Sequence, residues 1–181
     1  MDFLIYLFMF IIIFGLVLMM FVYIYNKFQT YIVRINEVEA DIDSTLRKRF
    51  DLLNRSINII NGNVKVDHEV LELIVKLRSR KLTNFELDRS LYDAINEFNT
   101  YKEEYPELNQ VESFVKIVSG LTESETEMYA LREYYNDVIS RYNALVRKIP
   151  SNLVAKVFKY KLRNFYDGKN MNDDIINDFK L

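Results

Sequence analysis

Few residues in this chain could do chemistry unaided. There is one histidine, His68, and no cysteine. That excludes a thiol nucleophile, a disulfide, cysteine-ligated zinc and any site built on two imidazoles. A di-iron helical bundle needs paired Glu-x-x-His motifs and is excluded on the same count. His68 sits between Asp67 and Glu69 near the predicted start of a helix and reads as an exposed helix-end histidine. No glycine-rich phosphate loop, Gly-x-Ser-x-Gly or His-Glu-x-x-His occurs. Glu37, Glu39, Asp41, Asp43 and Asp51 could attract a cation, but with no loop to converge them they read as a solvated helix face. No catalytic, cofactor-binding or metal-binding residue is assigned, and the expectation is a non-enzyme without a cofactor.

The remaining candidates are polar residues at core-facing positions. A three–four seam runs through Val111, Phe114, Val118, Leu121, Glu125, Met128, Arg132, Tyr135, Ile139, Tyr142, Val146 and Ile149. Glu125 and Arg132 interrupt an otherwise apolar stripe, and a buried charge without a partner costs several kcal/mol. The first helix offers Arg49 and Asp51. If Lys27 and Ile149 share a level, antiparallel pairing puts Arg49 opposite position 127 and Asp51 opposite position 125. An Arg49–Glu125 ion pair is then plausible, with a slip of one turn left open. Tyr135-Asn136 and Tyr142-Asn143 recur seven residues apart, so they share a face. Together Arg49, Asp51, Glu125, Arg132, Tyr135, Asn136, Tyr142 and Asn143 read as a structural polar network that fixes register rather than as a ligand site.

These residues need helices to position them. With four glycines and two prolines in 181 residues, a many-stranded sheet is unsupported. Phe3 to Tyr25 carries no charge, and as a helix it spans roughly 35 Å, enough to cross a hydrocarbon core of about 30 Å. It lacks the basic n-region and small-residue cleavage site of a signal peptide. Beyond it, Ile35, Val38, Ile42, Leu46, Leu53, Ile57 and Ile60 continue at helical steps to a stop at Asn61-Gly62. A second helix is predicted over about Asp67–Lys81. A third opens on a capping box at Thr83-Asn84-Phe85-Glu86, buries Leu87, Leu91, Ile95, Phe98, Tyr101 and Tyr105, and stops at Pro106. A fourth, capped in the same way at Asn109-Gln110-Val111-Glu112, runs to Ile149. Ser151 can cap a short helix after Pro150. The predicted fold is all-α: a single transmembrane helix (1–25) continues into an elongated up-down-up-down antiparallel bundle (26–166), and a polar tail follows (167–181).

Net charge is −2, from 24 basic and 26 acidic residues, but it is unevenly spread. Between positions 138 and 166 stand Arg141, Arg147, Lys148, Lys156, Lys159, Lys161 and Arg163 with no acid. In a chain anchored in a membrane, such a block points to anionic lipid rather than nucleic acid. Arg147, Lys148, Lys156, Lys159, Lys161 and Arg163 are the candidate membrane-surface residues. The segment from Ser151 mixes them with Leu153, Val154, Val157, Phe158, Leu162 and Phe165, which fits an interfacial helix, a segment closing the lower end of the bundle, or both. Lys27 and Arg34 beyond the apolar run favour an N-terminus outside and a cytoplasmic bundle.

Several of these stretches resemble the LemA family. They are Tyr25-Asn26, the run from Asp41 to Leu52, Glu104-Tyr105-Pro106-Glu107-Leu108, Glu125 through Arg132 to Tyr135-Asn136 and Tyr142-Asn143, and Pro150 to Phe158. The resemblance covers about Tyr25 to Tyr166. It implies a bacterial, single-pass, membrane-anchored helical bundle, N-terminus outside, with no known enzymatic activity. The chain departs from the family's pattern after Leu52, where Leu53-Asn54-Arg55-Ser56 stand in place of a hydrophobic residue, Pro, Asn and Leu. The functional expectation is a non-catalytic scaffold or adaptor at the cell envelope. Its partners would be the lipid surface, another membrane protein or a second copy. The alternative is a regulatory or signalling subunit whose polar seam switches between two packings.

Overall fold

The computed structural model describes residues 2–63 and 83–166. The chain is all-α: among the described residues there are four α-helices and no strand. They are α1 (Asp2–Asn63), α2 (Asn84–Glu104), α3 (Glu112–Arg147) and α4 (Ser151–Val157), with a 3-10 turn at Pro106–Gln110 between α2 and α3. The helix expected over Asp67–Lys81, with His68, and the tail expected at 167–181 lie outside the described residues.

α1 is unbroken for 62 residues. Its N-terminal part is apolar on every face: an 18-residue window reaches a mean hydropathy of 2.9 and none of it is buried. The helix is therefore long and apolar enough to cross a membrane. The pattern then changes to a single stripe. Ile24, Phe28, Ile35, Val38, Ile42, Leu46, Leu53, Ile57 and Ile60 are buried. With Leu53-Asn54-Arg55-Ser56 in place of a proline-bearing stretch, α1 stays continuous, and the buried Ser56 hydroxyl donates to the Leu53 carbonyl at 2.7 Å. Gly62 does not act as a left-handed stop, since no described glycine has positive φ and the helix runs through it to Asn63.

α2 opens on the expected box. The Glu86 amide donates to Thr83 Oγ1 at 3.3 Å, and the Thr83 amide donates back to Glu86 Oε2 at 2.9 Å. The helix ends at Glu104, because Pro106 restricts Tyr105 before it. The second predicted box is not formed. Asn109 lies in the 3-10 turn, and α3 opens at Glu112 after an extended Val111. α3 ends at Arg147, two residues before the expected Ile149. Ile149 consequently leaves the seam and is 83% exposed.

Ser151 does not cap α4 either, since Pro150 occupies that position. Its hydroxyl serves the preceding helix instead, lying 2.6 Å from the Leu145 carbonyl and 2.9 Å from that of Lys148. These are C-terminal carbonyls of the kind a helix end leaves unpaired. α4 closes with Lys159 in the left-handed region at φ 56°. The Tyr160 amide reaches the Ala155 carbonyl at 2.9 Å and the Lys159 amide that of Lys156 at 3.3 Å, which is a Schellman closure.

The chain divides into two compact units, and the two long helices contribute to both. The first comprises Met1–Glu37 and Tyr135–Phe165. Its core is Ile24, Phe28 and Ile35 of α1, Val138, Ile139 and Tyr142 of α3, and Val154 and Ala155 of α4. Phe28 meets Tyr142 edge-on at 5.9 Å and Tyr160 at 4.7 Å between ring centroids. The second unit takes Val38–Tyr134 together with Tyr166, the last described residue. Within it α1 and α3 run antiparallel. Lys48 is 3.6 Å from Glu127, and a Cβ on Gly120 would come within 3.1 Å of Leu52 Cδ1. The glycine lets the two helices approach at that level.

Candidate functional site

Among the described residues the densest polar cluster lies inside the second unit. α1 supplies Arg49, whose place between Leu46 and Leu53 on the buried stripe turns its long side chain inward. α3 supplies Glu125 and Arg132, seven residues apart on one face. α2 supplies Asp88, three residues before the buried Leu91. Arg132 grips Asp88 as a fork, with Nε 3.0 Å and Nη2 2.6 Å from Oδ2, and Nη2 2.8 Å from Oδ1. Arg49 Nη1 reaches the same carboxylate at 3.2 Å, and its Nη2 donates to Glu125 Oε2. Arg132 Nη1 lies 3.4 Å from the other Glu125 oxygen. The Tyr166 hydroxyl is within 3.3 Å of both Asp88 Oδ2 and the Asn84 carbonyl.

Two cations thus face two anions, and the cluster is formally neutral. Arg49 and Asp88 are fully buried, whereas the Glu125 side chain is 45% exposed. Burial holds the Asp88 carboxyl above its ordinary range, and the two guanidiniums offset only part of that rise. Burial also opposes charge on Arg132, but Asp88 and Glu125 outweigh it and hold the guanidinium above its ordinary value. The Tyr166 hydroxyl is driven far up by burial and by the adjacent Asp88. A phenol held neutral and a carboxylate saturated by two arginines have little capacity for proton transfer. The arrangement can clamp three helices. Arg49 Nε is buried without a hydrogen-bond partner.

Of the residues expected to form one network, Arg49, Glu125 and Arg132 come together. Asp51 is exposed on α1, and Asp88 joins the expected Glu125 as a second acid on Arg49. Tyr135, Asn136, Tyr142 and Asn143 belong to the first unit. There Asn143 holds the chain after α4: its Nδ2 donates to the Arg163 carbonyl at 2.8 Å, and its Oδ1 accepts from the Arg163 amide at 2.9 Å. Tyr142 packs in the core, and burial raises its hydroxyl pKa. Tyr135 and Asn136 are half-buried.

Sequence reasoning missed Asp88 and Tyr166. The signal for Asp88 was present, because 88, 91, 94 and 98 form a three–four seam with an acid at its head; Leu87, the expected seam residue, is half-buried. Tyr166 has no local signal. Among the described residues no three His, Asp or Glu side chains gather as a cation site.

The basic block surrounds α4 in the first unit. Arg147, Lys148, Lys156, Lys159 and Lys161 are exposed, and Arg163 is half-buried. One face of α4 packs inward through Val154 and Ala155, while Leu153 and Val157 point out at 58% and 64% exposure. Phe158 lies against α1 where the apolar segment ends, with its centroid 4.7 Å from that of Tyr25 and 6.0 Å from that of Phe21.

The sequence is similar to those of known proteins. Over 161 residues the chain is 25% identical to Protein LemA of Metamycoplasma hominis, covering 82% of this chain and 73% of that protein. It is 27% identical over 86 residues to Magnetosome protein MamQ 2 of Paramagnetospirillum magneticum, covering 48% of this chain and 32% of that one. The LemA family model matches residues 38–177, a stretch that contains every member of the ion cluster. The chain belongs to the LemA family.

Proposed function

We propose that this protein is a membrane-anchored, non-catalytic scaffold or adaptor of the bacterial cell envelope. The carrying observation is α1 itself. One unbroken helix begins as an unburied apolar segment and continues as a wall of both packed units. The apolar part crosses the bilayer once, and the units present surfaces to the lipid, a membrane protein or another copy. The exposed Lys27 and Arg34 favour cytoplasmic units. The anchor is tested by alkaline carbonate washing of native membranes. The full chain should stay with the membrane, and release of the intact chain would sink the reading. Cross-linking through a C-terminal tag then identifies the partner. A reproducible membrane protein makes this an adaptor, and self-contacts alone make it a self-assembling scaffold.

A second reading is a regulatory subunit whose polar seam switches packing. It is favoured by an Arg49 whose Nε is buried without a hydrogen-bond partner while its Nη2 is held by a half-exposed Glu125, so that one donor of the seam is left unused. Arg49→Met with Glu125→Met should lock such a switch and change a cellular readout. A double variant as active as the parent would make the cluster purely structural.

A further inference from the structure

The segment around α4 leaves apolar side chains in water for no reason internal to the first unit. Ile149 in the turn before α4, and Leu153 and Val157 four residues apart on α4, are 83%, 58% and 64% exposed. The opposite face of the same short helix, Val154 and Ala155, is already committed to the core. A helix that buries one apolar face and exposes another has a second surface to cover. Lys156 stands beside Leu153 and Val157 on the outer side, and Arg147, Lys148, Lys159 and Lys161 flank the patch, all exposed. Positions 138 to 166 contain no acid. A protein partner would therefore need a strongly acidic face with an apolar centre, whereas an anionic bilayer presents that combination everywhere.

Position selects the bilayer. Phe158, the residue after α4, packs with tilted rings against Phe21 and Tyr25 at the end of the apolar segment of α1. That packing fixes α4 at the level where α1 leaves the hydrocarbon. Lysine stems can lie along apolar surface while their ammonium groups reach phosphate, so Lys156 need not oppose insertion of its neighbours. We infer that Ile149, Leu153 and Val157 insert into the headgroup–acyl boundary of the leaflet α1 emerges from, held there by contacts from Lys156, Lys159 and Lys161 to anionic phospholipid. This inference rests on the anchor proposed above.

The absence of cysteine makes the test direct. Full-length single-cysteine variants Leu153→Cys, Val157→Cys, Val17→Cys and Tyr129→Cys are labelled with an environment-sensitive fluorophore. They are reconstituted in vesicles of phosphatidylcholine with phosphatidylglycerol, with and without nitroxide-bearing acyl chains. All four positions are exposed, so labelling leaves the packed units intact. Probes at 153 and 157 should shift to the blue and be quenched by the lipid nitroxides, as at 17, while 129 stays in water. Lys156→Gln with Lys159→Gln and Lys161→Gln should weaken the docked state roughly fivefold per charge in these vesicles, and have no effect in phosphatidylcholine alone. Water-exposed probes at 153 and 157 with a quenched probe at 17 would overturn this inference alone. A wet probe at 17 would overturn the anchor as well. Probes at 153 and 157 shielded from water yet unquenched by lipid would overturn it in favour of a protein partner or a second copy. Docking that ignores the lysine changes would overturn the anionic contact.

Discussion

Asp88 is the side chain on which the second unit's polar cluster depends. It receives hydrogen bonds from both Arg49 and Arg132 and is fully buried. Asp88→Asn keeps the shape and deletes the charge, leaving two guanidiniums to share one half-exposed Glu125. Losing one partner of a buried pair costs about 3–5 kcal/mol. Urea unfolding of the full chain in detergent should show a loss of that order. Asp88→Asn with Arg132→Met should recover part of it, and a double variant no better than the single one would contradict the account. Arg49, Glu125 and Arg132 were legible because each breaks an apolar seam. Asp88 was hidden because Leu87 beside it looked like the seam residue, and hydrophobicity alone favours the leucine. Burial followed the helix phase set by Leu91, Ala94 and Phe98. Tyr166 could not have been found without the tertiary path of the chain after α4.

Helix ends show where local rules decide and where they yield. At Thr83 the local rule holds, and hydrogen bonds from the Thr83 backbone and side chain keep the Glu86 carboxyl below its ordinary value of 4.5. A lowered folded pKa means that the contribution is complete above 4.5 and is lost as pH falls through the folded value. The protection of the Glu86 amide, relative to its intrinsic exchange, should therefore fall in acid, and Thr83→Ala, at a cost of about 1 kcal/mol, should weaken that pH dependence without removing it, because the residue 83 amide still donates to the Glu86 carboxylate. At Asn109 the same motif gave way to a 3-10 turn after Pro106. At α4 the closing turn sets Lys159 at φ 56°, a conformation that suits glycine. The turn is needed because it brings Tyr160 onto Phe28 and within 2.7 Å of Gln29. Lys159→Gly should raise stability by about 1 kcal/mol, as a shift in the denaturation midpoint without a change in slope. The sequence of α4 shows a short amphipathic helix. It does not show a lysine in the left-handed region, because that cost is met by packing far away in the chain.

At the scale of the molecule the all-α class and the apolar N-terminal segment were plain from composition, since neither depends on long-range contacts. The division into two units was not, because α1 and α3 run through both as continuous helices. The first unit is built on Phe28, which is fully buried between Tyr142 and Tyr160. Phe28→Ala should cost about 3–5 kcal/mol. In hydrogen–deuterium exchange the loss of protection should be greatest in residues 20–37 and 135–160 and smaller in α2, and an even loss across both units would argue that they do not open separately.

The neutral cluster also has a consequence for descent. A lineage that loses Asp88 alone leaves one cation in excess, and one that loses Arg132 alone leaves one acid in excess, so single steps are selected against while paired steps pass. Charged and apolar versions of this core are then separated by a valley that only coupled substitutions cross. Positions 49, 88, 125 and 132, carried on three different helices, should be inherited together or replaced together.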